Sequence, residues 1–138
     1  DVAVKALSPG INDPTTAVDA LYLCAVFLCE LDPDDLGLWA HRDDDGRARV
    51  VFPLPSYAAL LDLALDQPRR YGGNDPEVLL AVLALLRAVA WRRPAAAAHV
   101  RSQLERTREV IADAAVDSAV RDRLHAALLE VELPLSAA

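Results

Sequence analysis

Two stretches of this chain are apolar on every side when drawn as helices, and they constrain its folding more than any other feature. Between Ala17 and Leu28 the only polar or half-polar side chains are Asp19 and Tyr22, and between Val78 and Leu86 there are none. A helix on a protein surface carries a polar stripe, whereas one that is apolar all round must be covered on every side. Bilayer spanning is excluded, because it takes roughly 20 apolar residues. The longest uninterrupted runs here, Ala20 to Cys29 and Val78 to Leu86, are half that. One domain of 138 residues, 54% of them hydrophobic, can centre one such helix with ease. Two leave two arrangements open. Either both helices are central in one core, or part of the apolar surface is covered by a second copy or by further chain. A sequence that starts at Asp1 and contains no Met reads as a piece of a longer protein.

Local signals divide the rest. Val2 to Leu7 reads as the last turns of a helix, stopped by Ser8-Pro9-Gly10. Asp13-Pro14 opens a second helix, to about Leu31, with Asp as N-cap and Pro where its missing N–H is harmless. The Asp43-Asp44-Asp45-Gly46 turn between Leu38–Arg42 and Arg47–Phe52 predicts a β-hairpin. Ser56 caps a third helix to about Gln67, and Asp75-Pro76 opens a fourth to about Trp91. Pro94 starts a fifth to about Ala115, and Asp117 caps a sixth that ends before Pro134. The expected fold is mainly α: about six helices in a bundle with one inserted β-hairpin, forming a single domain over residues 1–138.

Charge narrows the partners. A net charge of −7 argues against nucleic-acid binding, which needs a basic surface. The charge is also uneven. Residues 1–66 carry twelve acids against four bases, whereas residues 67–110 carry eight arginines against four acids. Such a chain either neutralises itself on folding or docks an acidic partner through its middle third. Cys24 and Cys29, five residues apart on one helix, are beyond disulfide reach and read as buried apolar groups in a reducing compartment.

The most specific local pattern occurs twice. Gly10-Ile11-Asn12-Asp13-Pro14 and Gly72-Gly73-Asn74-Asp75-Pro76 share a Gly, an Asn-Asp-Pro step and a strongly apolar helix behind it. Gly and Asn suit the backbone that leaves one helix, and Asp and Pro start the next. A second reading is that the two loops meet, pooling Asn12, Asp13, Asn74 and Asp75, with Arg70 and Tyr71 just upstream, to bind a small ligand or ion. Against it, a carboxylate that caps its own helix has already committed its lone pairs.

The run from Val2 through Ser8-Pro9-Gly10-Ile11-Asn12-Asp13-Pro14 to Ala17 closely resembles the signature of a bacterial family of predicted membrane proteins, domain of unknown function twenty-two fifty-four. Asp66-Gln67-Pro68-Arg69-Arg70-Tyr71-Gly72, continuing to Pro76, is similar to its weaker second signature. The chain departs from that pattern at Tyr22-Leu23, where members often carry Asp-Arg, and at Pro68, where they carry an aliphatic residue. The resemblance implies a cell-membrane protein of which this is the soluble C-terminal domain; the reduced cysteines and the lack of a visible signal peptide favour the cytoplasmic side. Its expected partners are the membrane-spanning part of its own protein and further copies of itself. The expected role is assembly or regulation, with a small-ligand or ion sensor at the two loops as the alternative.

Catalytic chemistry is not written in the sequence. His41, His99 and His125 stand in no metal-binding frame, and no Ser or Cys has a plausible His–Asp pair near it. Asp43-Asp44-Asp45-Gly46 lacks the closing glutamate of a calcium loop. Asp19, on an apolar helix, is the best single candidate for a perturbed carboxylate. No cofactor and no metal are implied.

Overall fold

A computed structural model describes residues 2–8 and 13–136 of the chain. Its elements run α1 (Val2–Ala6), α2 (Pro14–Glu30), β1 (Leu38–Arg42), β2 (Ala48–Pro53), α3 (Tyr57–Gly72), α4 (Pro76–Arg92), α5 (Ala97–Asp113) and α6 (Ser118–Ser136). Short 3₁₀ turns at Pro33–Asp35 and Pro94–Ala96 link α2 to the hairpin and α4 to α5. The fold is mainly α with one inserted hairpin, as the sequence predicts.

The starts of the helices follow the capping signals. Asp13 accepts from the Thr16 N–H at 3.2 Å and the Thr16 hydroxyl at 2.5 Å. Asp75 accepts from the Glu77 and Val78 N–H groups at 2.9 and 3.2 Å. Ser56 and Asp117 do the same for α3 and α6. Each satisfies donors that the first helical turn leaves without a partner.

Two helices run past the residues where prolines were expected to stop them. Helix α3 continues through Pro68 to Gly72, and α6 continues through Pro134 to Ser136. A proline inside a helix removes one ladder bond and crowds the preceding turn, at a cost of about 3 kcal/mol. Both final turns are anchored to α5. Arg69, in the turn after Pro68, donates to the Gln103 carbonyl of α5, and Arg101 of α5 donates to the Leu135 carbonyl at 2.7 Å. Tertiary bonds therefore hold helical turns that local sequence would end.

Only one of the two apolar helices is central. Helix α4 is enclosed by α2, α3, α5 and α6, and Val78, Leu79, Val82, Leu83, Leu86 and Val89 are all buried. Helix α2 buries only Ala17, Leu21, Ala25, Leu28 and Cys29, a single stripe facing α4. Its other face, including Tyr22, Leu23, Val26 and Phe27, is exposed. The arrangement with both helices central does not hold: apolar surface remains outside the core.

Folding pairs part of the uneven charge. Arginines of the middle third pair with acids from both ends of the chain. Arg92 meets Glu30 at 3.6 Å and Arg106 meets Asp62 at 2.9 Å, while Arg87 pairs with Glu130 and Arg108 with Glu132. These partly exposed pairs add little stability each.

Candidate functional site

The hairpin is built by its turn. Gly46 takes a φ of +78°, and Asp43 Oδ1 accepts from the N–H groups of Asp45 and Arg47 at 3.1 and 2.9 Å. The strands pair antiparallel, with Trp39 opposite Phe52 and His41 opposite Val50, and a register shift follows at His41/Arg42. Alternation along a strand then places Trp39, His41, Val50 and Phe52 on one face. The Trp39 and Phe52 rings lie 5.7 Å apart. The stem is closed by the Leu54 N–H donating to the Gly37 carbonyl at 2.7 Å, with Gly37 at φ +98°. Beyond that stem the hairpin packs chiefly on itself, and Leu38 is 80% and Trp39 50% exposed. An isolated two-stranded hairpin is marginal in water, and its apolar faces are unpartnered.

At the root of the hairpin, Tyr57 is buried and donates from its hydroxyl to the Leu28 carbonyl at 2.8 Å. This is a tertiary cap: it satisfies one of the carbonyls that the end of α2 leaves open. Burial, with a smaller contribution from Cys29, pushes the Tyr57 hydroxyl up to about 12. Cys29 is buried, Cys24 is half-buried, and both are free thiols. Burial raises the pKa of each, so neither is primed as a nucleophile.

The candidate binding residues are distributed as follows. Asn12 lies outside the described residues. Asp13 is occupied in its cap, and the Thr16 hydroxyl and N–H hold its carboxyl below the usual range. Asp75 is occupied in the equivalent cap, and Asn74 is exposed. The two loops share a neighbour in the end of α1. The Asp13 N–H donates to the Ala6 carbonyl at 2.7 Å, and the Leu7 Cδ1 atom lies 3.2 Å from where a Cβ on Gly72 would sit. Arg70 and Tyr71 are exposed on the last turns of α3, with the guanidinium 5.8 Å from the ring centroid. Asp19, His41, His99 and His125 are all exposed. Among the described residues, no three His, Cys, Asp or Glu side chains gather as a metal site requires.

One polar cluster was not foreseen. Arg69, 5% exposed, donates to the Gln103 carbonyl at 3.1 Å, to the Thr107 hydroxyl at 3.4 Å and to Asp66 at 2.5 Å. The Gln103 amide donates to Asp62 at 2.6 Å, and Arg106 donates to the same oxygen. The cluster joins α3 to α5. The signal for it was the α3 stripe of Tyr57, Leu61, Leu65 and Pro68. Residue 69 falls one turn after Leu65 on that stripe, while Arg70 and Tyr71 fall outside it.

Depressions between helices are shallow. One, lined by Leu80, Leu83, Ala84, Arg87, Ala127 and Glu130, measures about 180 Å³. Another, between α5 and α6, measures about 370 Å³ and is lined by ion-paired Arg108 and Glu132 together with Arg101 and Leu135. Neither gathers a nucleophile, a base and an anion-stabilising donor as catalysis requires.

The features that stand apart are therefore two unpartnered apolar surfaces, the outer face of α2 and the hairpin. Their setting is given by the chain's relatives. The family described as "Predicted membrane protein (DUF2254)" matches residues 1–88, and the chain belongs to it. The chain is 40% identical over 94 residues to the uncharacterized proteins Mb1321c of Mycobacterium bovis and Rv1290c of Mycobacterium tuberculosis. The match covers 65% of this chain and only 17% of either relative. No solved structure matches. No helix of the described residues is long and apolar enough to cross a membrane.

Proposed function

We propose that this chain is an assembly domain of a longer membrane protein, and that it holds other protein surface rather than transforming a small molecule. The observation that carries the reading is the outer face of α2, where Tyr22 is 71% and Phe27 58% exposed beside Leu23 and Val26. A continuous exposed apolar face on a helix whose opposite face is fully packed marks an interaction site. The family's membrane-protein description and the small share of each relative that the chain matches supply the larger assembly to which it would dock. The free thiols suit a cytoplasmic placement of the domain, which maleimide labelling of Cys24 in intact cells and in inverted vesicles checks.

The test places Leu23→Lys and Phe27→Lys together in the longer family protein, purified in detergent. Size on gel filtration and cross-linking between this domain and the remainder are then compared with the unaltered protein. The double variant is expected to keep its helical circular dichroism and to lose the cross-links. Cross-links that persist at full yield defeat the proposal.

A further inference from the structure

We propose that the last turn of α3 is a latch that couples α1 to α5, ordered only while both neighbours hold it. Its own residues oppose the helix they form. The stretch from Pro68 to Gly73 contains Pro68, Gly72 and Gly73, the residue types with the lowest helix propensity. Pro68 has no N–H to give the helical ladder, so the turn after it is tied to the body of α3 by fewer bonds than an ordinary turn. Two other elements supply what the local sequence does not.

On one side stands α5. Arg69 donates to the Gln103 carbonyl and the Thr107 hydroxyl, and Val110 Cγ1 lies 2.9 Å from where a Cβ on Gly73 would sit. On the other side stands the end of α1. Ala6 and Leu7 are buried there, and Leu7 closes on Gly72 where a Cβ would also collide with Val78 of α4. The turn is thus wedged between its neighbours, with no room for a side chain at either glycine.

Helix α1 is weak on its own as well. Its five residues are far too few for a stable isolated helix. It packs on α2 and α3, and its Ala6 carbonyl accepts the Asp13 N–H at 2.7 Å. Two weak segments that support each other open as one unit, because each loses part of its support when the other leaves. Undocking of α1 frees Gly72, loosens the turn and releases Arg69 from α5. Coupling is reciprocal, so releasing Arg69 loosens α1. The state of α1 is in this way felt at the α3–α5 seam. The second Gly-x-Asn-Asp-Pro loop then has a role that needs no ligand: its glycines let the latch seat.

The experiment is amide hydrogen exchange by nuclear magnetic resonance on the full chain, with the Asp13 N–H as reporter. That amide bonds to the Ala6 carbonyl, whereas the bonds of Arg69 go to α5 and to Asp66. Arg69→Met is expected to speed Asp13 exchange by about fivefold or more, the lower end of ordinary coupling between sites. Leu7→Ala is expected to speed the amides from Arg70 to Gly72 by a similar factor. Leu124→Val, in the buried core of α6, is expected to leave Asp13 unchanged, because α6 stays packed when the latch opens. Circular dichroism checks that each variant folds. If Arg69→Met does not, Thr107→Val takes its place with the same expected direction, since it removes only a hydroxyl that Arg69 reaches.

An Asp13 amide indifferent to the loss of the Arg69 bonds overturns the inference, since α1 then opens without the turn. So does a turn whose exchange ignores Leu7→Ala. An Asp13 amide that Leu124→Val speeds as much as Arg69→Met overturns it too, because exchange then runs through unfolding of the whole bundle.

Discussion

Replacing Tyr57 by Phe tests the root of the hairpin in a way that separates a hydrogen bond from a titration. The hydroxyl donates to the Leu28 carbonyl at 2.8 Å in a buried position, and no other bond to that hydroxyl is made among the described residues. Removing it deletes one hydrogen bond and leaves a helix-end carbonyl short of a donor, which costs about 1–2 kcal/mol. For a chain of this length that lowers Tm by about 3–8 °C. The same group makes stability depend on alkaline pH. Its pKa rises from 10.0 to about 12 on folding, chiefly through burial. A raised folded pKa means that this contribution is fully present below pH 10 and is lost as pH climbs from 10 to 12. Two pKa units correspond to about 3 kcal/mol. The stability difference between wild type and Tyr57→Phe should therefore be nearly level up to pH 10, shrink above it, and change sign at about pH 11. Urea denaturation followed by far-ultraviolet circular dichroism, at steps from pH 7 to 12, measures it. If the two stability curves run parallel between pH 10 and 12, the buried phenol does not govern the alkaline limb and the reasoning is refuted.

Other expectations follow from close packing and capping. In Gly72→Ala the new Cβ would lie 2.5 Å from Val78 Cγ1 and 3.2 Å from Leu7 Cδ1, so overpacking should cost about 1–3 kcal/mol in a urea titration. Arg69→Met keeps the buried stem but strips Asp66 and the α5 carbonyl of their donor. A loss of about 1–3 kcal/mol is expected, with the last turn of α3 losing amide-exchange protection first. Leu83→Ala, at the centre of α4, should cost about 2–5 kcal/mol. Asp13→Asn should flatten the acid limb of stability: the carboxyl's lowered pKa contributes stability that is present at neutral pH and lost as pH falls through the folded value. If Asp13 and Asp75 serve a ligand rather than their caps alone, a thermal-shift screen of metals and metabolites will show a hit that Asp75→Asn removes.

Sequence and structure divide along a physical line. Helix starts at Asp13, Ser56, Asp75 and Asp117 and the turn at Gly46 were legible because each rests on bonds within about four residues, and the family signature lies in the same local motifs. The position of Arg69 was partly legible, since it falls on the buried stripe of α3, but its partners Gln103 and Thr107 are more than thirty residues away. Helical turns after Pro68 and Pro134 were not legible, because arginine bonds between elements hold them. The ranking of the two apolar helices was beyond local reading altogether. Composition makes α2 and α4 equal candidates for the centre, and only the packing of α3, α5 and α6 around α4 decides between them. What the sequence determined by itself is therefore the set of elements and two apolar helices competing for one small core. What the tertiary structure decided is which of them is central and where apolar surface stays exposed, on the outer face of α2 and on the hairpin, because burial is a property of neighbours and not of residues.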